Sequence, residues 1–193
     1  MTAQIPDSFQ YRDQDYSLAG INGGKLFEPE KHGLRPIESC TACYHGFVCS
    51  YALFEDHLVL DNLSVTLSHP APVLFGVKPS KPKSEHSIWD AFYIDLKHPV
   101  KFTGGLLIAT GFIQELYVHM GFHPAWKYEE VYELIFEDGT LKDAFDRSEY
   151  MADFRKRREA AIDAAPDERR EPTKAEVGDW IERCFSLEYH GLF

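Results

Sequence analysis

Cys40, Cys43, His45 and Cys49 crowd into one short stretch, and thiolate and imidazole are zinc-binding groups. Cys-x-x-Cys is a common half of a tetrahedral site, and the other half normally comes from a second close pair. The remaining cysteine, Cys184, stands alone. Strand-like alternation would put Cys43 and Cys49 on one face and Cys40 on the other. The motif does not open a helix as a thioredoxin-type dithiol would. The expectation is four reduced cysteines, with no metal and no cofactor. Cys43 and His119 have the residue types for acyl transfer, but nothing in the sequence places them together. No catalytic residue is assigned.

The second concentration of chemistry is His119-Met120-Gly121-Phe122-His123-Pro124-Ala125-Trp126-Lys127-Tyr128. Histidines four apart form a metal pair on a helix, and Gly121 and Pro124 argue against a helix here. As an irregular loop it still combines apolar rings, polar tips and a cation next to Glu129, Glu130 and Glu133, which suits the wall of a pocket. The candidate binding residues are therefore His45, His119, His123, Trp126, Lys127 and Tyr128. The simpler account is an aromatic loop that closes the end of a sheet. Arg155-Lys156-Arg157-Arg158 is the one dense basic run and is expected to be a solvated helix face. Gly23-Gly24 and Gly104-Gly105 lack the spacing and context of phosphate loops.

The elements that must carry these residues are mostly strands. Phe47–Leu53 and Leu58–Val65 are rich in β-branched and aromatic residues around Glu55-Asp56-His57, and Val131–Phe136 and Thr140–Phe145 flank an Asp-Gly turn signal. The two hairpins use similar text, Tyr51-Ala52-Leu53-Phe54-Glu55-Asp56 and Tyr132-Glu133-Leu134-Ile135-Phe136-Glu137-Asp138, each downstream of a Gly-Phe step. An internal duplication with units 11–67 and 92–146 is the expectation. Between them, 68–91 holds Pro70, Pro72, Pro79 and Pro82 and reads as a linker pinned by Val73–Val77. Residues 1–15 are expected to be an edge strand or loose, and Gly20–Gly24 to turn a hairpin between Tyr16–Leu18 and Leu26–Phe27. Glu28–Gly33 should be a turn or a single helical turn. The continuous run Leu106–Ala109 fits a strand buried on both faces. Phe112–Met120 is ambiguous, with Tyr117-Val118-His119 leaning to strand.

Beyond Asp146 the pattern is helical: Asp146–Glu149 and Thr173–Glu176 have capping-box form. Val177, Trp180, Ile181, Cys184 and Phe185 share one helical face, which predicts a core-facing second helix with Cys184 buried and Trp180 central to stability. The fold class is α+β: a largely antiparallel sheet of two similar β units with two C-terminal helices at 147–193, in a single domain.

Apolar residues at 44% and aromatics at 14% support a sizeable core, and the formal charge of −11 is spread along the whole chain. Such a field opposes nucleic acid and anionic lipid. With no leader or membrane span legible, the cytoplasm is the expected compartment. The functional expectation is a non-enzymatic cytosolic binding protein, an acidic immunity- or inhibitor-type module that neutralises a basic protein partner. The alternative is a small-molecule-binding protein or metal-dependent enzyme that uses the His119–Tyr128 loop with His45. Oligomeric state is not encoded in any of these signals.

Overall fold

The computed structural model describes residues 2–163 and 172–190. Three two-residue turns organise it, each with both central residues at positive φ: Arg12-Asp13 (50° and 61°), Glu55-Asp56 (48° and 63°) and Asp138-Gly139 (46° and 80°). This is the turn handedness that matches the twist of the flanking strands. The turns join β1 (Ser8–Tyr11) to β2 (Gln14–Asn22), β3 (Phe47–Phe54) to β4 (His57–Val65), and β8 (Tyr128–Glu137) to β9 (Thr140–Asp146). The last two hairpins are the ones expected from the sequence. The first corrects two expectations. Residues 8–11 form an internal strand between β2 and β3, and the Gly20–Gly24 hairpin does not exist, because β2 runs on to Asn22.

The remaining strands are β5 (Ala91–Tyr93), β6 (His98–Pro99) and β7 (Gly104–Phe112). The nine-stranded sheet runs β3-β1-β2-β7-β8-β9-β4, and β4 then pairs with β3, so seven strands close into a ring. One residue pair, His57 with Thr140, makes the β4–β9 seam. Leu58 N–H donates to the Gly139 carbonyl (2.7 Å) and Leu141 N–H to that of Asp56 (2.8 Å), so the two hairpin turns lock together. Among the named strands only β1–β3 is parallel. The β3–β4 and β8–β9 hairpins share their turn geometry but differ in outer neighbour: β3 lies parallel to β1, whereas β8 lies antiparallel to β7.

Period-two alternation turns Phe9, Leu18, Tyr51, Leu60, Leu106, Ile108, Leu134 and Phe136 into one core. Each is essentially inaccessible, and full burial of such a side chain contributes about 1.5–3 kcal/mol. Strand β7 is buried on both faces as expected: Leu106 and Ile108 join this core, while Leu107 and Ala109 join a second cluster with Ala19, Val131, Met151 and Tyr189. The proline-rich segment is pinned by buried Leu74 and by Tyr93 Oη donating to the Pro72 carbonyl (2.7 Å). Pro29–His32 forms the expected single helical turn, and Gly33 at φ 78° ends it.

The second cluster lies under an outer layer. Helix α1 (Ser148–Asp163) is tied to β8 by Arg147 N–H on the Val131 carbonyl (2.8 Å) and by Ser148 Oγ accepting from Val131 N–H (3.0 Å). Asp146 Oδ1 accepts from Ser148 N–H (2.9 Å) at its start. The C-terminal tail continues the β2 edge, with Ile21 N–H donating to the Leu187 carbonyl (2.7 Å) and Tyr189 N–H to that of Ile21 (3.1 Å). The Tyr189 ring takes the room left by Gly20 and Gly105, since a Cβ on Gly105 would lie 2.2 Å from its hydroxyl. That hydroxyl donates to Glu133 Oε1 (2.9 Å), and Arg147 donates to Glu133 Oε2 through Nε (2.9 Å) and Nη2 (2.6 Å).

Helix α2 (Lys174–Cys184) has the full Thr173–Glu176 capping box expected for it. Its core-facing stripe is corrected: no residue of α2 is buried, Val177 is 38% and Trp180 46% exposed, and Ile181, Cys184 and Phe185 are only partly covered. Its start at Thr173 follows from local capping chemistry, and of its stripe Trp180 and Cys184 line a groove while Phe185 lines a second cavity. No helix among the described residues is long and apolar enough to cross a membrane.

Candidate functional site

The stretch after β7 leaves the sheet beyond Phe112, and Gly121 and Pro124 keep it irregular. Gln114–Leu116 and Ala125–Lys127 are single 3-10 turns, and 117–119 is irregular, which corrects the strand reading of Tyr117-Val118-His119. Gly121 sits at φ 65°, where a Cβ would lie 2.1 Å from the Cys184 carbonyl oxygen; that carbonyl accepts from Phe122 N–H at 2.7 Å. The close approach, available only to glycine, fixes the loop against the end of α2.

Between this loop, α1, α2 and the tail lies a groove of about 1120 Å³. Its floor is the outer face of the barrel at Ala19 and Leu107, and its sides carry Met120, Phe122, Trp126, Met151, Phe154 and Trp180. Set into this apolar lining is Lys127, 6% exposed. No carboxylate or hydrogen-bond acceptor among the described residues pairs with it; its nearest ring is that of Trp126, 5.5 Å from Nζ to centroid. Burial pushes the ammonium below its usual range and the Arg158 cation adds to this, with Cys184 opposing. An unpaired buried ammonium is costly, by several kcal/mol, unless an anion reaches it.

The rest of the charged lining is mixed but keeps a cationic excess: Arg155, Lys156, Arg158 and Arg183 stand against Glu115, Glu159 and Glu188. Arg158 lies over the Trp126 ring at 5.0 Å, and Arg155 Nη1 donates to the Trp126 and Tyr128 carbonyls (2.9 and 2.8 Å). Arg183 lines the α2 side. The basic run of α1 is therefore divided: Arg155 and Arg158 are held against the loop, Lys156 stands at the exposed rim paired with Asp153 (3.1 Å), and Arg157 does not line the groove. A run of four cations gives no sequence signal of which of them pack on the loop. The Met151-Phe154-Arg155-Arg158 spacing of three, one and three is the signal that was missed.

Of the candidate residues, Trp126 and Lys127 line the groove. Tyr128 is buried beneath it in the outer cluster. His123 packs against Phe112 (4.7 Å) and Tyr117 (5.2 Å), and both ring nitrogens are buried with no hydrogen-bond partner. Burial, then the Lys127 charge, pushes His123 below its usual pKa and keeps it neutral. His119 is exposed, 2.9 Å from the Tyr117 hydroxyl. His45 stacks on Phe122 (6.3 Å, 11°) and lines a separate cavity.

The cysteine cluster also separates. Cys40–Gly46 is a turn, in which Cys43 N–H donates to the Cys40 carbonyl (2.8 Å); Cys43 and Cys49 are buried and Cys40 is partly exposed. All four cysteines are free thiols, and Cys184 is half-buried, which corrects its expected burial. Among the described residues no group of three or more His, Cys, Asp or Glu side chains is arranged to hold a metal ion. No protein-family model matches the chain, and neither a curated protein nor a solved structure shows significant similarity to it.

Proposed function

We propose that this protein binds an amphipathic organic anion, a carboxylate on an extended apolar body, in the groove between the barrel and its helical layer. The supporting observation is Lys127: a 6%-exposed ammonium with no anionic partner among the described residues, in an apolar groove. A carboxylate there would restore the missing ion pair while its body covers Leu107, Trp126 and Phe154. The cationic groove stands out in a chain of net charge −11. The reading of a module that neutralises a basic protein rests on that overall charge alone, and the groove's geometry favours the small ligand.

The test is calorimetric titration of the purified protein with saturated carboxylates from octanoate to hexadecanoate, alongside Lys127→Met. Saturable binding that falls at least about tenfold in the variant, equivalent to about 1.4 kcal/mol, supports the reading. Absence of binding across the series, or equal affinity in the variant, defeats it.

A further inference from the structure

A second cavity, of about 380 Å³, lies between the loop 24–30, the start of β3 and the tail 185–188. Its walls are rings: Phe27 meets Phe47 edge-on (6.5 Å), His45 leans on Phe47 (6.1 Å) and lies parallel to Phe122, and Tyr51 of the barrel core completes the lining. Asp7 also lines it, and Asp7 Oδ1 accepts from Cys49 N–H at 2.8 Å. The charged groups around the cavity are Glu28, Glu30, Glu188 and Lys25. The excess is negative, opposite to that of the groove.

We propose that this cavity is a binding site for a small organic ammonium ion with an aromatic body, its charge set against the Asp7 carboxylate and the faces of the surrounding rings. Aromatic faces attract cations through their quadrupole, and a low-dielectric wall strengthens the carboxylate's pull. The inference stands apart from the groove reading, because none of its charged partners lines the groove except Glu188.

The site also predicts its own pH response. Burial pushes the Asp7 carboxyl up to about 7, with the Cys49 N–H opposing. Cys49 and Tyr51 on β3 and Cys43 on the turn before it feel the Asp7 charge, and His45 on that turn, Lys25, Glu28 and Glu30 on the loop and Glu188 on the tail line the cavity with it. Burial holds the Cys43, Cys49 and Tyr51 protons on above their usual ranges, and burial with Lys25 keeps His45 below its own. An ammonium ligand therefore binds the ionised form of Asp7 and displaces its proton into solvent. Affinity rises by about tenfold between about pH 6 and 8.

The experiment is calorimetric titration of the full chain with phenethylamine and with 2-phenylethanol as its uncharged counterpart, in wild type and Asp7→Asn. The asparagine keeps an oxygen for the Cys49 N–H. Expected are saturable amine binding that tightens with pH, alcohol binding at least about tenfold weaker and indifferent to pH, and loss of that discrimination in the variant. No saturable amine binding, equal affinity for the alcohol, or a folded variant with unchanged amine affinity overturns the proposal. If the variant does not fold, the wild-type pH series decides: a flat response overturns it. Decanoate titration of the same samples reports the groove separately, so failure of one site is distinguishable from failure of the other.

Discussion

The cleaner apolar stripe belongs to α2, yet only α1 is docked. Helix α1 places Met151, 2% exposed, in the outer cluster, anchors its first turn to β8, and gives Arg155 two loop carbonyls. Helix α2 is held at its last residue, where the Cys184 carbonyl accepts from Phe122, and Trp180 of its stripe lines the groove while 46% exposed. The difference teaches that helical periodicity reports an apolar face, while what covers that face depends on the rest of the chain. In α1 the deciding groups are polar: one serine, one arginine backbone N–H and one guanidinium find backbone partners.

Four substitutions test this contrast, in falling order of expected effect. Glu133→Ala removes the carboxylate that receives both Arg147 and the Tyr189 hydroxyl, so α1 and the tail each lose one tie to the barrel; a loss of about 3–5 kcal/mol is expected in urea unfolding. A change within error there would mean that the outer layer is not coupled to the barrel. Met151→Ala should cost about 2–4 kcal/mol, because it empties a buried site between α1 and the outer face of the sheet. If the cost is below about 1 kcal/mol, α1 is no better docked than α2.

Gly121→Ala forces a side chain into the Cys184 carbonyl at a positive φ. It should detach the end of α2 at a cost of about 1–3 kcal/mol, with amide exchange rising in 174–184 and staying slow in the β-ring. Uniformly faster exchange would show that α2 is part of the cooperative core. Trp180→Ala, which the sequence alone ranks as highly damaging, should change stability by less than about 1 kcal/mol while weakening decanoate binding. A loss near 3 kcal/mol, the order expected for a core tryptophan, would restore the buried-stripe account.

Much of the framework was legible locally. Glu55-Asp56 and Asp138-Gly139 set two hairpins, Leu106–Ala109 read correctly as a strand covered on both sides, and Thr173–Glu176 marked the start of α2. The β1–β2 hairpin was missed because Arg12-Asp13 holds its left-handed turn without asparagine or glycine and, unlike Glu55-Asp56, has only the short, partly polar β1 (Ser8–Tyr11) before it. In the loop, Trp126 and Lys127 were identifiable as wall residues by their chemistry. His45 was not separable from them, because nothing in the sequence shows that Phe122 stands between two cavities.

The sequence by itself determined the turns, the alternation, the caps and the chemical character of the 119–128 loop, because each depends on residues within a few positions of one another. Tertiary structure decided the rest. Ring closure rests on His57 meeting Thr140, the docking of the tail on Tyr189 reaching Glu133, and the upward shift of the Asp7 carboxyl on its burial. Lys127 became a candidate anchor for a ligand by the same route, since whether a buried charge has a partner is settled only when distant segments have packed around it.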